Sequence, residues 1–208
     1  MPAKTAKKRT YNSSRRALQA AQTREEVLRA ASQLFSDTGW AGTTLAAIAE
    51  EAGVSVETIY NGFGSKKALL REAMGVAVVG DAEPIPFAER PEFAALGEGT
   101  LDERTARGIA TVTMIHERSA GIWQAIVEAA SSDPEVDEWR REMEASRRID
   151  VHRSLELIVG HEVDDATVTL LWVLYSPETY RKLVVDGGLS RAEFEALLID
   201  ASRRLTNT

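Results

Sequence analysis

Residues 43–67, TTLAAIAEEAGVSVETIYNGFGSKK, constrain this chain more than any other stretch. Leu45, Ile48, Ala49 and Ala52 recur at i, i+3, i+4 and i+7, which is one face of a helix. Thr44 stands at the N-cap position, where a side-chain oxygen accepts from the first turn. Gly53 stands at C′, where the chain turns left-handed to leave a helix. Ser55 then caps a second helix, from which Ile59 and Phe63, with Val54 before it, can pack back on the first. Two short helices around a glycine-containing turn form the helix-turn-helix pattern, whose second helix enters the DNA major groove.

Net charge must be compatible with such a partner. The 208 residues carry 25 Lys+Arg and 32 Asp+Glu, a formal −7, which argues against nucleic acid until its distribution is read. Residues 1–75 hold 11 basic and 7 acidic residues, net +4, and residues 76–208 hold 14 and 25, net −11. The basic part can face phosphates while the acidic part repels them. Residues 1–16 contain Lys4, Lys7, Lys8, Arg9, Arg15 and Arg16 and no acidic residue. With little to bury, they read as a disordered arm to about Tyr11. Such an arm either follows the DNA backbone or is a solvated tail.

Over residues 23–72, Phe35, Gly39, Thr43, Thr44, Ile48, Ala49, Gly53, Val54, Ser55, Tyr60, Phe63, Ser65, Lys66, Ala68 and Leu69 follow one another in a characteristic order and spacing. In this the block resembles the N-terminal domain of TetR-family transcriptional regulators. It departs at Gly62, where the family often carries His or Tyr. The resemblance implies an all-α protein in three parts: the arm (1–16), a three-helix DNA-binding domain (17–72) and a larger helical effector-binding and dimerisation domain (73–208). It also implies a ligand-responsive repressor that binds a palindromic operator as a homodimer. The alternative is a small-molecule or protein-binding helical module without regulated operator binding, for which Gly62 and the acidic body speak.

Helical geometry sorts the second helix of the motif. Ile59 and Phe63 face inward, leaving Ser55, Val56, Glu57, Thr58, Tyr60 and Asn61 for the groove and its rims. Asn61 can pair bidentately with adenine, Glu57 can accept from cytosine N4, and Thr58 or Val56 can touch a thymine methyl. By resemblance, Tyr60, Thr44 and Lys66 contact phosphates, and helix N-termini at Thr44 and Lys66 suit that role.

Before the motif, Thr23 and Glu26 have the spacing of a capping box, with an earlier start near Ser13 or Ser14 also open. Val27, Ala30, Ala31, Leu34 and Phe35 form the apolar face of the first helix, and Trp40 plugs the small core. Ser65 caps a fourth helix that Gly80 closes. Residues 81–100 hold three of the six prolines and form a loop, in which Phe87 and Phe93 either cover a pocket or pin the chain. The remainder is helical by pattern: residues 101–118, a shorter helix after Gly121, a long one capped by Asp133 with Pro134 at N1, then one capped by Asp164 or Asp165. That last helix, ATVTLLWVLY, is apolar nearly all round and calls for cover beyond one chain. A short helix follows Pro177, and a closing helix opens on a Ser190–Glu193 capping box. Met74, Met114, Trp123, Met143, Trp172 and Tyr175 are large residues that either line an effector cavity or pack the core. Few charges stand among them, which favours an apolar or aromatic effector.

Other chemistry is missing. The chain has no cysteine. His116, His152 and His161 form no i, i+3 or i, i+4 pair, and His161-Glu162 lacks the second histidine of a zinc-protease motif, Asp165 standing in its place. Phosphate-loop and nucleophile-elbow motifs are also absent. No enzyme, metal or cofactor is expected. With no 18-residue apolar run and no secretory signal, the expectation is a cytoplasmic protein with no membrane partner, bound to double-stranded DNA, to itself and to a small molecule.

Overall fold

The computed structural model describes residues 7–81 and 85–206. Among them, every regular element is helical. The first helix, α1 (Lys7–Gly42), begins inside the stretch expected to be a disordered arm: residues 7–16 are helical, and residues 1–6 lie outside the described residues. The Thr23–Glu26 capping box does not form, because Thr23 stands in mid-helix. The strong helix formers of residues 17–21 carry α1 across the expected boundary. Gly39 breaks the helical path with φ 70° and ψ −172°, so the last residues of α1 leave at an angle. There the Trp40 ring stacks on Phe35 at 6.2 Å between centroids.

Helix α2 (Leu45–Glu51) is capped by the Thr44 hydroxyl, which accepts from Ala47 N–H, and α3 (Val56–Phe63) by the Ser55 hydroxyl, which accepts from Thr58 N–H. Gly53, at φ 66°, makes the turn between them. Helix α4 (Lys66–Val79) is capped by Ser65 and closed by left-handed Gly80. After it come a 3₁₀ turn (Phe87–Glu89), the short α5 (Pro91–Ala94) and a second 3₁₀ turn (Ala95–Gly97). Phe93 is buried and meets Phe87 edge-on at 5.7 Å, so Phe93 pins the segment while Phe87 also lines a cavity in the body.

Helix α6 (Leu101–Ala130) is one element of 30 residues, where a break at Gly121 was expected. A Cβ on Gly121 would lie 2.6 Å from Ser36 Cβ and 2.8 Å from Ser36 Cα. This glycine ends nothing; it lets α1 and α6 approach at backbone distance. Helix α7 (Pro134–Val159) starts on the Asp133 cap with Pro134 at N1 and ends at left-handed Gly160. Helix α8 (Asp165–Leu174) takes Asp164 as its cap. The short α9 (Pro177–Tyr180) runs into a π-helical stretch, Arg181–Asp186. Helix α10 (Arg191–Thr206) opens on the expected capping box: Glu193 N–H donates to the Ser190 hydroxyl, and Ser190 N–H to the Glu193 carboxylate.

The largest core is shared by head and body. Val27, Phe35, Ile48, Ile59, Phe63 and Leu70 from α1–α4 join Ile122, Trp123, Ile126 and Val136 from α6 and α7 in one buried cluster. The helix-turn-helix is thus packed onto the body, not tethered to it. Two smaller clusters fill the far end, one around Ile109, Tyr180 and Phe194 and the other around Leu155, Val168 and Leu171.

Candidate DNA interface and effector cavity

In α3, Ile59 and Phe63 are buried against the head core. The opposite face is open: Val56 is 36% and Tyr60 54% exposed, and Glu57, Thr58 and Asn61 are exposed with them. Among the described residues, the side chains of Glu57, Tyr60 and Asn61 make no hydrogen bond, so all three are available to a partner. The Ser55 and Thr58 hydroxyls are 2.9 Å apart and occupied with each other at the helix start. Thr44, exposed, caps α2 with its hydroxyl.

Lys66 stands differently from these. Its ammonium donates to the Trp40 carbonyl and sits 3.9 Å over the Trp40 ring centroid. Burial lowers its pKa, against the opposing charge of Glu128. It fastens α4 to the end of α1 from within the head.

Two further residues emerge from the fold for which the sequence carries no signal. Arg24, on α1, donates to the Gly62 carbonyl at 3.1 Å, lies 4.4 Å over the Phe63 ring and pairs with Glu72. It thereby supports the end of α3 that Gly62 weakens. Arg24 and Arg16 also line a groove between α1 and α3 together with Thr58 and Gly62, which sets basic residues of α1 beside the open face. The second is Glu128, near the end of α6. Its carboxylate accepts from Trp40 N–H at 2.7 Å and from Ala41 N–H at 3.1 Å, so a body helix grips the connection between α1 and α2. Lys67 adds a bridge to Asp133 and Glu135 at the start of α7.

The body contains a cavity of about 300 Å³ between α4, α6, α7 and the α8–α10 end, at the lower end of the roughly 300–1,000 Å³ range of small-molecule sites. Of the residues expected there, Met74, Trp123, Met143 and Tyr175 line it. Met114 and Trp172 do not: Met114 is 42% exposed, and the Trp172 ring lies under the Arg147 guanidinium at 5.1 Å. Each is large and apolar enough for the part, but the sequence alone does not fix which face of its helix points inward. The walls are mostly apolar, as the composition suggested. One end is polar and was not foreseen, since Glu144, Arg147 and Asp150 lie on α7 and His116 on α6. His116 is 4% exposed and its Nε2 lies 2.9 Å from the Tyr175 carbonyl. Burial pushes its pKa down to about 4, against the Tyr175 hydrogen bond and aided by the Arg147 charge. The ring is therefore neutral at pH 7. A carbonyl only accepts, so Nε2 carries the proton and Nδ1 presents a lone pair. Burial likewise raises the Tyr175 phenol to about 12, and its hydroxyl meets Ser202. Among the described residues no cluster of three or more His, Cys, Asp or Glu is placed to hold a metal ion, and no helix is long and apolar enough to cross a membrane.

Head, body and cavity together define a protein, all-α among the described residues, in which a helix-turn-helix is packed on a helical domain with a cavity. Residues 27–73 match the family described as bacterial regulatory proteins, tetR family. The fold is similar to that of a Rhodococcus sp. protein assigned to the TetR family of transcriptional regulators, at 16% identity and TM-score 0.68, covering 89% of this chain and 99% of that one. A TetR-like transcriptional regulator from Rhodococcus sp. RHA1 aligns at 20% identity and TM-score 0.60, over 89% and 97% of the two chains. A Mesorhizobium loti MAFF303099 protein assigned to the same family aligns at 21% identity and TM-score 0.59, again over 89% and 97%. No curated protein matches the chain. Residues 27–73 carry that family's reader domain, and the chain's fold is the one shared with these structures.

Proposed function

We propose that this protein is a homodimeric, ligand-responsive repressor, acting in the cytoplasm, that binds a palindromic operator through α2 and α3. The observation that carries the reading is the two-sided build of α3, with Ile59 and Phe63 buried and Glu57, Tyr60 and Asn61 exposed and unpaired. In this reading Asn61, Glu57, Thr58 and Val56 meet base edges. Tyr60, Thr44 and Ser55 meet the backbone beside them, and Lys66 acts by holding α4 to Trp40. Support for a second copy comes from α8. Leu170 is 52% and Val173 51% exposed on a helix whose other side is buried, and Leu197 on the contacting α10 is 40% exposed. One eight-residue reader helix spans few bases, and a two-fold dimer doubles them. The cavity supplies a place for an effector that favours a spacing of the two heads unfit for the operator. Equal affinity for both spacings would shift nothing.

The test is selection of bound duplexes from a random DNA pool at near-physiological salt. Recovery of one palindrome supports the reading. Salt-sensitive bulk binding with no motif would sink it and leave a helical binding module as the alternative.

A further inference from the structure

The effector cavity is mostly apolar, with Ser202, Arg203 and Thr206 of α10 on one side and a further polar patch where α6 and α7 face each other. His116 Nδ1 is a buried lone pair with no partner among the described residues. Asp150 lines the same cavity half-buried, and its carboxylate has no hydrogen bond or ion pair among the described residues. Both are acceptors. Arg147 stands one helical turn before Asp150, with its two terminal nitrogens engaged and its Nε buried without a partner among the described residues. It pairs with Glu144 at 2.7 Å and donates to the carbonyls of Trp172 at 2.9 Å and Tyr175 at 3.3 Å. His116 shares that Tyr175 carbonyl, so the polar groups form one continuous patch. Within the patch Glu144 and Asp150 face one cation, Arg147, with Arg153 acting on Asp150 from the same helix.

We infer that the cavity takes a small, largely apolar molecule whose polar end is a hydrogen-bond donor, an amine or a hydroxyl, and that it discriminates against carboxylates. The inference rests on reading this cavity as the effector site. A donor repairs the unpaired acceptor on His116, because a buried acceptor without a partner is destabilising. A cationic amine also answers Asp150. A hydroxyl can donate to His116 and accept from Arg147 Nε, which is likewise buried and unpartnered. A carboxylate can accept from Arg147 Nε, but it offers no proton to His116 and adds a negative charge beside Glu144 and Asp150, where the low dielectric makes repulsion strong.

Calorimetric titration of the full chain, without DNA, would compare 3-phenylpropylamine, 3-phenylpropan-1-ol and 3-phenylpropionate, which share one apolar body and differ in the polar end. We expect the better of the two donors to bind at least tenfold more tightly than the acid. The ordering of amine and alcohol tells which donor the site prefers. In Asp150→Asn the preference over the acid should shrink at least threefold. With ¹⁵N-histidine-labelled protein, the His116 Nδ1 resonance should shift on saturation with the better donor. Acid binding as tight as either donor, no binding by both donors, an unchanged preference in Asp150→Asn, or a stationary Nδ1 resonance at saturation each overturns the inference. Because the titration contains no DNA, its failure leaves the operator reading standing. Failure of operator selection, conversely, does not alter these affinities.

Discussion

At the scale of single residues, the two faces of α3 make opposite demands, and substitution separates them. The Asn61 side chain has no partner among the described residues, so Asn61→Ala should leave the melting temperature almost unchanged. It should relax base preference at one position per half-site, by about 1–3 kcal/mol where the contact is bidentate. Tyr60→Ala should instead weaken binding to all sequences alike, since a phosphate contact carries no sequence information. Selection profiles of the two variants check both outcomes, and an unchanged Asn61→Ala profile removes it from the base readers. His116 makes a prediction about pH. Its folded pKa of about 4 lies below the ordinary 6.5 because burial disfavours the charged ring. Between these values the unfolded chain binds the proton and the folded chain does not. Its contribution to stability is therefore fully present above pH 6.5 and falls away as pH drops towards 4, by on the order of 3 kcal/mol. Urea midpoints measured from pH 7 to pH 4.5 should fall more steeply for the natural chain than for His116→Phe, in which this proton is absent.

At the scale of elements, caps were the legible part and contacts between elements were not. Thr44, Ser55, Ser65, Asp133 and the Ser190–Glu193 box all cap helices as their spacing predicts, because a cap acts within its own turn. The Thr23–Glu26 box has the same spacing and forms no cap, since nothing nearby stops α1 from continuing through it. Gly121 misleads for a related reason. A glycine in a helical pattern marks either an end or a close approach, and only the neighbour, here Ser36, decides which. The anchors Arg24 and Glu128 act across 38 and 88 residues of sequence, respectively, beyond the reach of any periodic pattern. The cavity fails to show for the same reason: its residues come from several helices, and only packing brings them together. Gly121→Ala tests the close approach. Alanine favours a helix by about 1 kcal/mol over glycine, yet its Cβ would collide with backbone as well as side chain of Ser36. Overpacking of that kind typically costs about 1–3 kcal/mol. Thermal unfolding should therefore show a lower midpoint in Gly121→Ala, whereas a rise would mean that α1 and α6 are less tightly apposed. On α8, the paired change Leu170→Glu and Val173→Glu puts charge on the exposed apolar side and leaves buried Val168 and Leu171 alone. Sedimentation should show monomers of retained helicity in place of dimers.

At the scale of the whole molecule, α6 runs from the cavity in the body to the α1–α2 connection in the head. The helix carries His116 and Trp123 on the cavity wall and Glu128 at the α1–α2 connection, called the hinge in the proposed ligand response. Five residues separate Trp123 from Glu128, about 7.5 Å along a helix, so a ligand that displaces the wall displaces the hinge grip with it. The grip is specific: two backbone N–H groups, of Trp40 and Ala41, converge on one carboxylate. Lys66 ties the same Trp40 to α4. A charged acceptor holds N–H donors more strongly than a neutral one. Glu128→Gln keeps the shape and one acceptor while removing the charge, so the hinge should loosen without the body unfolding. Two changes are expected together. Operator affinity should fall several-fold, because the head is less firmly oriented. The factor by which a cavity ligand alters operator affinity should shrink towards one if, in the proposed ligand response, this contact carries part of the coupling free energy between the sites. Ligand affinity in the absence of DNA should stay near that of the natural chain, since Glu128 does not line the cavity. Titrating operator binding with and without ligand, in both proteins, closes the thermodynamic cycle. Weaker DNA binding with an undiminished ligand effect would place Glu128 in head stability alone and move the coupling route to α4, the other cavity wall that enters the head.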